Sequence, residues 1–177
     1  MIDKIYITGP VGAGKSTLAR RLAKEFGFAC CELDSVVYEP DPTKPNGNRK
    51  RTIAARDALL EAALSGGRWV AEDAGRAYFE HLMQRADSII LLEPPAAVRL
   101  WRIVRRWIRQ NLGLEACGYT PDWGMLKLMF RWTRQYETDA DGVRARAAKY
   151  TDKVSLIRNE RDIRRYVRER IEPQKTN

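Results

Sequence analysis

The 177-residue sequence has no apolar run approaching the roughly 20 residues that cross a bilayer, so a membrane-spanning helix is not expected. Cysteine is scarce. Cys30 and Cys31 are adjacent and point to opposite faces if their segment is a strand, Cys117 stands alone, and no disulfide framework follows. The cysteine spacing fits no zinc pattern and His81 has no histidine companion, which argues against a metal site built from protein ligands alone and leaves His81 as a surface or internally satisfied residue. Internal repeats and low-complexity blocks are also missing. The opening Met1-Ile-Asp-Lys-Ile-Tyr-Ile-Thr reads as a short buried strand instead of a secretion signal. With the cysteine usage, that gives the expectation of a cytoplasmic protein with no membrane partner.

The composition, 44% apolar and 31% charged, is that of a globular chain, and its length suits one domain over 1–177. The unusual bulk property is a net charge of +9, which favours polyanionic partners such as nucleotides or nucleic acid. Between Arg99 and Arg134 eight cations face only Glu115 and Asp122, a net +6, so most of the excess lies in one segment.

Strand and helix signals alternate along the chain. Lys4 to Thr8 is a short apolar strand, a glycine-rich turn follows, and Leu18, Leu22 and Phe26 give Ser16 to Phe26 a helical period. Gly27 stops the helix, and Phe28 to Leu33 forms a second strand closing on Asp34. Pro40, Pro42, Pro45 and Gly47 break regular structure, so 35–51 reads as a substrate loop. Further helices are expected over Thr52–Leu64, Tyr78–Arg85, Ala96–Leu112, Trp123–Tyr136, up to about Tyr150 and over Arg161–Ile171, with strands at Trp69–Asp73, Ser88–Leu92 and Lys153–Ile157. From Pro173 onward the chain reads as frayed. The alternation predicts an α/β fold, a doubly wound, three-layer parallel sheet of five strands whose ligands sit at the carboxyl ends of the strands.

In the helix from Ala96, Leu100, Val104 and Ile108 share one face, and Arg99, Arg102, Arg106 and Arg109 recur on another. This helix, the loop after it and the next helix, 99–134, read as a mobile arginine-rich cover. Trp101, Trp107, Trp123 and Trp132 at helical spacing are expected to fill space in a core, with base stacking as the other reading.

The most specific motif is Gly9-Pro10-Val11-Gly12-Ala13-Gly14-Lys15-Ser16, followed by Thr17, which fits G-x-x-x-x-G-K-[ST] between a strand and a helix. Glycines there let successive backbone N–H groups converge on phosphate oxygens, and the positive end of the following helix adds to the attraction. Lys15 is placed to bridge the β- and γ-phosphates of ATP or a similar nucleotide, and Ser16 to ligate Mg²⁺. Glu72 and Asp73 end a strand, and the pleat decides which of them faces the site.

On the P-loop together with Glu32-Leu-Asp, Arg85-Ala-Asp-Ser-Ile-Ile-Leu-Leu, Leu100-Trp-Arg-Ile-Val-Arg-Arg and Arg161-Asp-Ile-Arg-Arg-Tyr-Val, the chain resembles P-loop kinases of the adenylate-kinase-like group. Within them it is similar to small proteins described as DNA topology modulation (FlaR-related) proteins. The resemblance implies a P-loop NTPase, nucleoside/nucleotide-kinase-like core and an arginine-bearing helical lid over ATP. It assigns Arg102 and Arg106 to the adenine and the transferring phosphate, and Asp34 to magnesium through water or to the proton of a substrate hydroxyl. Asp73-Ala-Gly-Arg resembles the Asp-Gly-x-Pro-Arg segment of nucleotide kinases, which favours Asp73 for the magnesium shell through water and makes Arg76 a substrate clamp. Arg49 joins Asp34 and Arg76 as a candidate acceptor residue on the loop. Arg131 and Arg134 have weaker claims to the nucleotide, and Arg105 and Arg109 read as surface charge. The expected function is ATP- and Mg²⁺-dependent transfer of the γ-phosphoryl group to a small acceptor, a nucleoside, a nucleotide or another hydroxyl compound. The rival reading is a nucleotide-dependent nucleic-acid-binding NTPase acting on DNA topology, drawn from the basic charge and the resemblance.

Overall fold

The computed structural model describes residues 2–140 and 142–172. The expectation for Pro173 onward lies outside the described residues. Among them, five parallel strands form one sheet in the order β2-β5-β1-β6-β7: β1 (Lys4–Thr8), β2 (Ala29–Glu32), β5 (Trp69–Asp73), β6 (Ser88–Leu92) and β7 (Val154–Ile157). A separate antiparallel hairpin pairs β3 (Tyr38–Pro40) with β4 (Asn48–Lys50). The helices are α1 (Lys15–Phe26), α2 (Leu33–Val37), α3 (Ile53–Leu64), α4 (Glu80–Arg85), α5 (Ala96–Asn111), α6 (Trp123–Thr138), α7 (Val143–Ala147) and α8 (Glu160–Tyr166).

The strands are buried because helices cover both faces, and the two-residue period of a strand divides the core. Ile5, Ile7, Val70, Ile90 and Leu92 face one side, where they meet Leu18 and Leu22 of α1 and Tyr166 of α8. Tyr6, Trp69, Ala71 and Ile89 face the other, against Val36 and Val37 of α2, Leu60 and Leu64 of α3, Leu82 of α4 and Val143 of α7. A third cluster, Ile103, Leu126 and Met129 with Val11 and Trp107 against it, joins α5 and α6 to the tip of the glycine-rich loop. The chain runs from β1 outward to β2, back to β5 beside β1, and then across β1 to β6. The carboxyl ends of β5, β1 and β6 therefore lie side by side where the winding reverses, the usual ligand position of such folds.

Several expectations change. The 35–51 loop contains the end of α2 and the β3/β4 hairpin, because Val36 and Val37 bury against the sheet. Asp34 stands in the first turn of α2 and not at a strand end. The helix through Tyr150 is the short α7 followed by a single 3₁₀ turn, Ala148–Tyr150. On α5 the buried positions are Arg99, Ile103 and Gln110, whereas Leu100, Val104 and Ile108 are exposed. Trp101, Trp123 and Trp132 are exposed as well, which corrects their placement in a core; the fifth tryptophan, Trp69, is the fully buried one.

Burial sets the expected costs of truncation. Leu22→Ala removes a side chain with no exposure beneath α1 and is expected to cost about 2–5 kcal/mol. Ile53→Ala, at a position 69% exposed on α3, should stay within about 0.5 kcal/mol. Urea denaturation of the two variants against the parent chain measures the contrast.

Candidate functional site

The loop from Gly9 to Gly14 is held by contacts that leave no room for side chains at two positions. A Cβ on Gly9, whose φ is 147°, would lie 2.2 Å from the Leu92 carbonyl oxygen at the end of β6, and one on Gly12, with φ 76°, would lie 2.7 Å from the Arg99 carbonyl oxygen on α5. The loop is thus clamped between the sheet edge and α5, and Gly14 caps α1 without a side-chain bond or an acid in the first turn. That leaves the positive end of α1 open to an anion.

Lys15 begins α1 and folds back over the loop, where Nζ donates to the carbonyl oxygens of Gly9 and Pro10, each at 3.0 Å. Burial lowers the pKa of Lys15, and the carboxylates of Glu72, Asp73 and Asp34 oppose that fall. Ser16 Oγ donates to Glu72 Oε1 at 3.0 Å. Glu72 is buried, and desolvation raises its pKa against the opposing pull of Lys15.

Asp73 occupies the other side of the same strand. It shares the side of Tyr6 and Ala71, and its Oδ2 accepts from Gly75 N at 2.7 Å, from Arg76 N and from Tyr6 Oη at 3.4 Å. Arg76 bridges two acids: Nη1 donates to Asp73 Oδ1 and Nη2 to Asp34 Oδ1. The Asp34 side chain is 70% exposed and the Asp73 side chain has no exposure, so the two ion pairs of Arg76 run from the surface to the buried end of β5. Arg146, on α7, joins this side by donating from Nη2 to the Gly75 carbonyl. Thr8, opposite Asp73 in the register, has a buried Oγ1 beside Gly75 with no hydrogen-bond partner among the described residues.

The candidate residues divide accordingly. Lys15, Ser16 and Arg102 gather at the glycine-rich loop, Arg102 by donating from Nη1 to the Ala13 carbonyl at 2.6 Å. Arg106, one turn further along α5, donates to Tyr119 Oη at 2.9 Å. Asp34 and Arg76 are brought together. Arg49 is not: it pairs with Glu39 at 2.7 Å and Asp41 at 3.8 Å, both on its own hairpin, and no contact among the described residues links it to Asp34 or Arg76. The carboxylate that meets Ser16 is Glu72 and not Asp73, which the resemblance favours for the magnesium shell; alternation along β5 separates them. Arg146 was missed by sequence reasoning, because the contact that brings it in spans 71 residues and carries no local pattern.

The arrangement can hold a polyphosphate on the α1 side of the sheet edge and a polar group on the α2 and α7 side. No group of three or more His, Cys, Asp or Glu side chains among the described residues forms a metal cage. Hard oxygen donors at Ser16 and Glu72 instead suit a magnesium ion completed by water and phosphate oxygens.

Comparison with known proteins points the same way. No family model matches the chain. A cytidylate kinase from Haloquadratum walsbyi is 34% identical, over 58% of this chain and 57% of that protein, and a shikimate kinase from Actinobacillus succinogenes is 41% identical over 27% and 32%. The chain therefore spans between a third and somewhat over half of the length of these curated relatives. Among solved structures, shikimate kinase from Acinetobacter baumannii in complex with shikimate superimposes with a TM-score of 0.53 at 18% identity, covering 100% of this chain and 97% of that one. The fold is that of the P-loop kinases.

The two acids of β5 predict opposite responses. Asp73→Ala leaves Arg76 without its buried partner and is expected to cost about 3–5 kcal/mol. Glu72→Gln keeps an acceptor for Ser16 and should change the pH dependence instead. The raised pKa of Glu72 contributes stability that is fully present below the ordinary glutamate value of ~4.3 and is lost as pH rises through the raised value. The difference between parent and Glu72→Gln unfolding free energies, measured across acidic to neutral pH, should decline over that interval and then level off.

Proposed function

We propose that the protein is a phosphotransferase that moves the γ-phosphoryl group of ATP to the hydroxyl of a small polar acceptor. The observation that carries this reading is the division of labour at the end of β5: Glu72 serves the P-loop through Ser16, while Asp73 holds Arg76 toward Asp34 on the opposite side. A nucleotide site and an acceptor site then meet across a single strand end. The kinase relatives and the shared fold support the reaction class.

In this reading the amides of Gly12 to Ser16 and the end of α1 cradle the β- and γ-phosphates, and Lys15 exchanges its two carbonyl partners for phosphate oxygens. Ser16 would hold Mg²⁺ directly and Glu72 through water. When bound, the ion neutralises charge on the β- and γ-oxygens. Asp34 keeps Oδ1 on Arg76 and presents Oδ2 to the acceptor hydroxyl. The acceptor oxygen forms its bond to the γ-phosphorus as the bond from that phosphorus to the β,γ-bridging oxygen breaks, the electron pair leaving with ADP and the hydroxyl proton passing to Asp34. Arg102, already against the P-loop, and Arg106 lie on the cover that excludes water. Arg146 and Thr8 supply polar groups for the rest of the acceptor.

The geometry of the cover favours phosphotransfer over a nucleic-acid stripe. Arg99 pairs with Glu137, Arg102 with the Ala13 carbonyl, Arg106 with Tyr119 and Arg109 with Glu115, so these four guanidinium groups are engaged within the chain and not aligned as free cations.

The test is an acceptor screen with Mg²⁺ and ATP over nucleosides, nucleotides and polyhydroxylated carboxylic acids, scoring ADP that depends on acceptor. Lys15→Ala should abolish nucleotide-dependent thermal stabilisation with the fold retained, and Asp34→Asn should keep that stabilisation and lose about 10²-fold or more in kcat. ADP release that ignores every acceptor, or an Asp34→Asn variant with full activity, would refute the assignment.

A further inference from the structure

The helix that covers the P-loop shows solvent a second face with a different character. Single exposed apolar residues are ordinary on a protein surface, but on α5 and just beyond it they fall in register. Trp101, Val104, Ile108 and Leu112 recur at steps of three and four, and they are 58%, 37%, 46% and 66% exposed. Ile103 and the Arg102 guanidinium point the other way, to the glycine-rich loop, so the stripe lies outward from the nucleotide site. Trp101, Val104, Arg105, Ile108 and Arg109 line a shallow groove of about 240 Å³ along this face.

The charges beside the stripe restrict what can cover it. Helix α5 carries five arginines and no acid over its 16 residues. Arg105 forms no ion pair among the described residues, and its guanidinium lies 5.3 Å from the Trp101 ring centre, at the border between apolar stripe and water. Arg99, Arg102, Arg106 and Arg109 are engaged within the chain, so a second copy packed through this face would bring Arg105 against Arg105, with no carboxylate on the helix to relieve the pair. Nucleic acid would satisfy Arg105 and could stack on Trp101, but Val104, Ile108 and Leu112 have no π face to offer a base. A surface that takes aliphatic side chains below a plane of negative charge satisfies both halves at once. That is the interfacial layer of an anionic bilayer, into which an amphipathic helix sinks its apolar side while a flanking arginine, here Arg105, reaches up to the headgroups.

We propose that the outward stripe of α5, Trp101, Val104, Ile108 and Leu112 flanked by Arg105, docks the protein on anionic lipid surfaces. The inference is independent of the phosphotransfer reading, because none of these residues has been placed in the nucleotide or acceptor site. It departs from the sequence expectation of no membrane partner, and the reason is the side on which the tryptophan and the aliphatic residues emerge. Docking leaves the chain peripheral: no helix among the described residues is long and apolar enough to cross a membrane.

Flotation of the purified full chain with phosphatidylcholine vesicles, with and without about 30% phosphatidylglycerol, at ~0.15 M salt, tests the proposal. The protein should float with the anionic vesicles and partition at least about 10-fold less on the neutral ones. Trp101→Ser/Ile108→Ser should lower partition by about 10-fold or more, and Arg105→Gln by roughly 5-fold, the value for one arginine at a charged surface. Circular dichroism and an unchanged ATP-dependent melting shift confirm that both variants are folded. Failure of the folded parent to float, or equal flotation of parent and double variant, overturns the proposal. It is also overturned if the stripe instead mediates retention on an oligonucleotide, or a dimer seen by light scattering, that the double variant abolishes while vesicles bind neither protein.

Discussion

Two neighbouring side chains in a strand point away from each other, and the candidate site depends on that constraint at the carboxyl end of β5. The parallel register sets Ile7 opposite Glu72 and Thr8 opposite Asp73. Ile7 belongs to the core beneath α1 and Tyr6 to the core beneath α2 and α3, so the alternation that separates the two cores continues outward and sorts the two acids. Glu72 emerges beside the first turn of α1, and Asp73 beside the turn that follows β5. Moving either acid by one residue would exchange their surroundings and leave Ser16 and Arg76 each facing the wrong partner.

Electrostatics explains why the two acids differ in character as well as direction. Glu72 has one hydrogen bond from Ser16 and the nearby charge of Lys15, which do not cancel the cost of its burial, so its pKa rises. A carboxylate held in that state gains from an added cation, and the neighbouring Lys15, lowered by its own burial, gains from an added anion. The cradle thus gains from both charges at once, and a magnesium-bound polyphosphate would supply them together. Asp73 needs neither: two backbone N–H groups, a tyrosine hydroxyl and a guanidinium already satisfy it.

The strands, α1 and the glycine-rich loop were legible because each rests on a local signal: a short apolar run, a helical period, or glycines at positions where a Cβ would strike Leu92 or Arg99. The contents of the two sides of the site were less so. Whether Glu72 or Asp73 faces the loop is a question of strand phase, which the placement of Tyr6, Trp69 and Ala71 among the core residues answers only once the sheet is assembled. Arg146 is invisible for the same reason, since Gly75 and α7 meet only in three dimensions. On α5 the regular apolar row is not the packed face. Leu100, Val104 and Ile108 form a regular apolar row, and such a row is normally packed, but the face that meets the loop carries Arg99 and Ile103 instead. A buried arginine has no periodic signature, and its partner Glu137 lies 38 residues away on another helix.

That buried arginine gives the cover its base. The Arg99 backbone carbonyl stands where a side chain on Gly12 would collide with it, while its guanidinium donates to Glu137 and lies 5.8 Å from the Tyr136 ring centre. Glu137 also accepts from Arg144 at 3.3 Å, Arg144 donates to Glu93 at 2.6 Å, and Glu93 accepts from the Tyr136 hydroxyl. The glycine-rich loop, the start of α5, the end of α6, α7 and the end of β6 are thereby joined through one chain of charged contacts. Arg99 still has Nε and Nη1 buried without hydrogen-bond partners among the described residues, so this series of contacts is not fully satisfied. Apolar packing would seal the same junction more stably. Charged contacts of fixed direction instead set where α5 leaves the sheet, and with it the positions of Arg102 and Arg106 over the loop and of the apolar stripe on the far side.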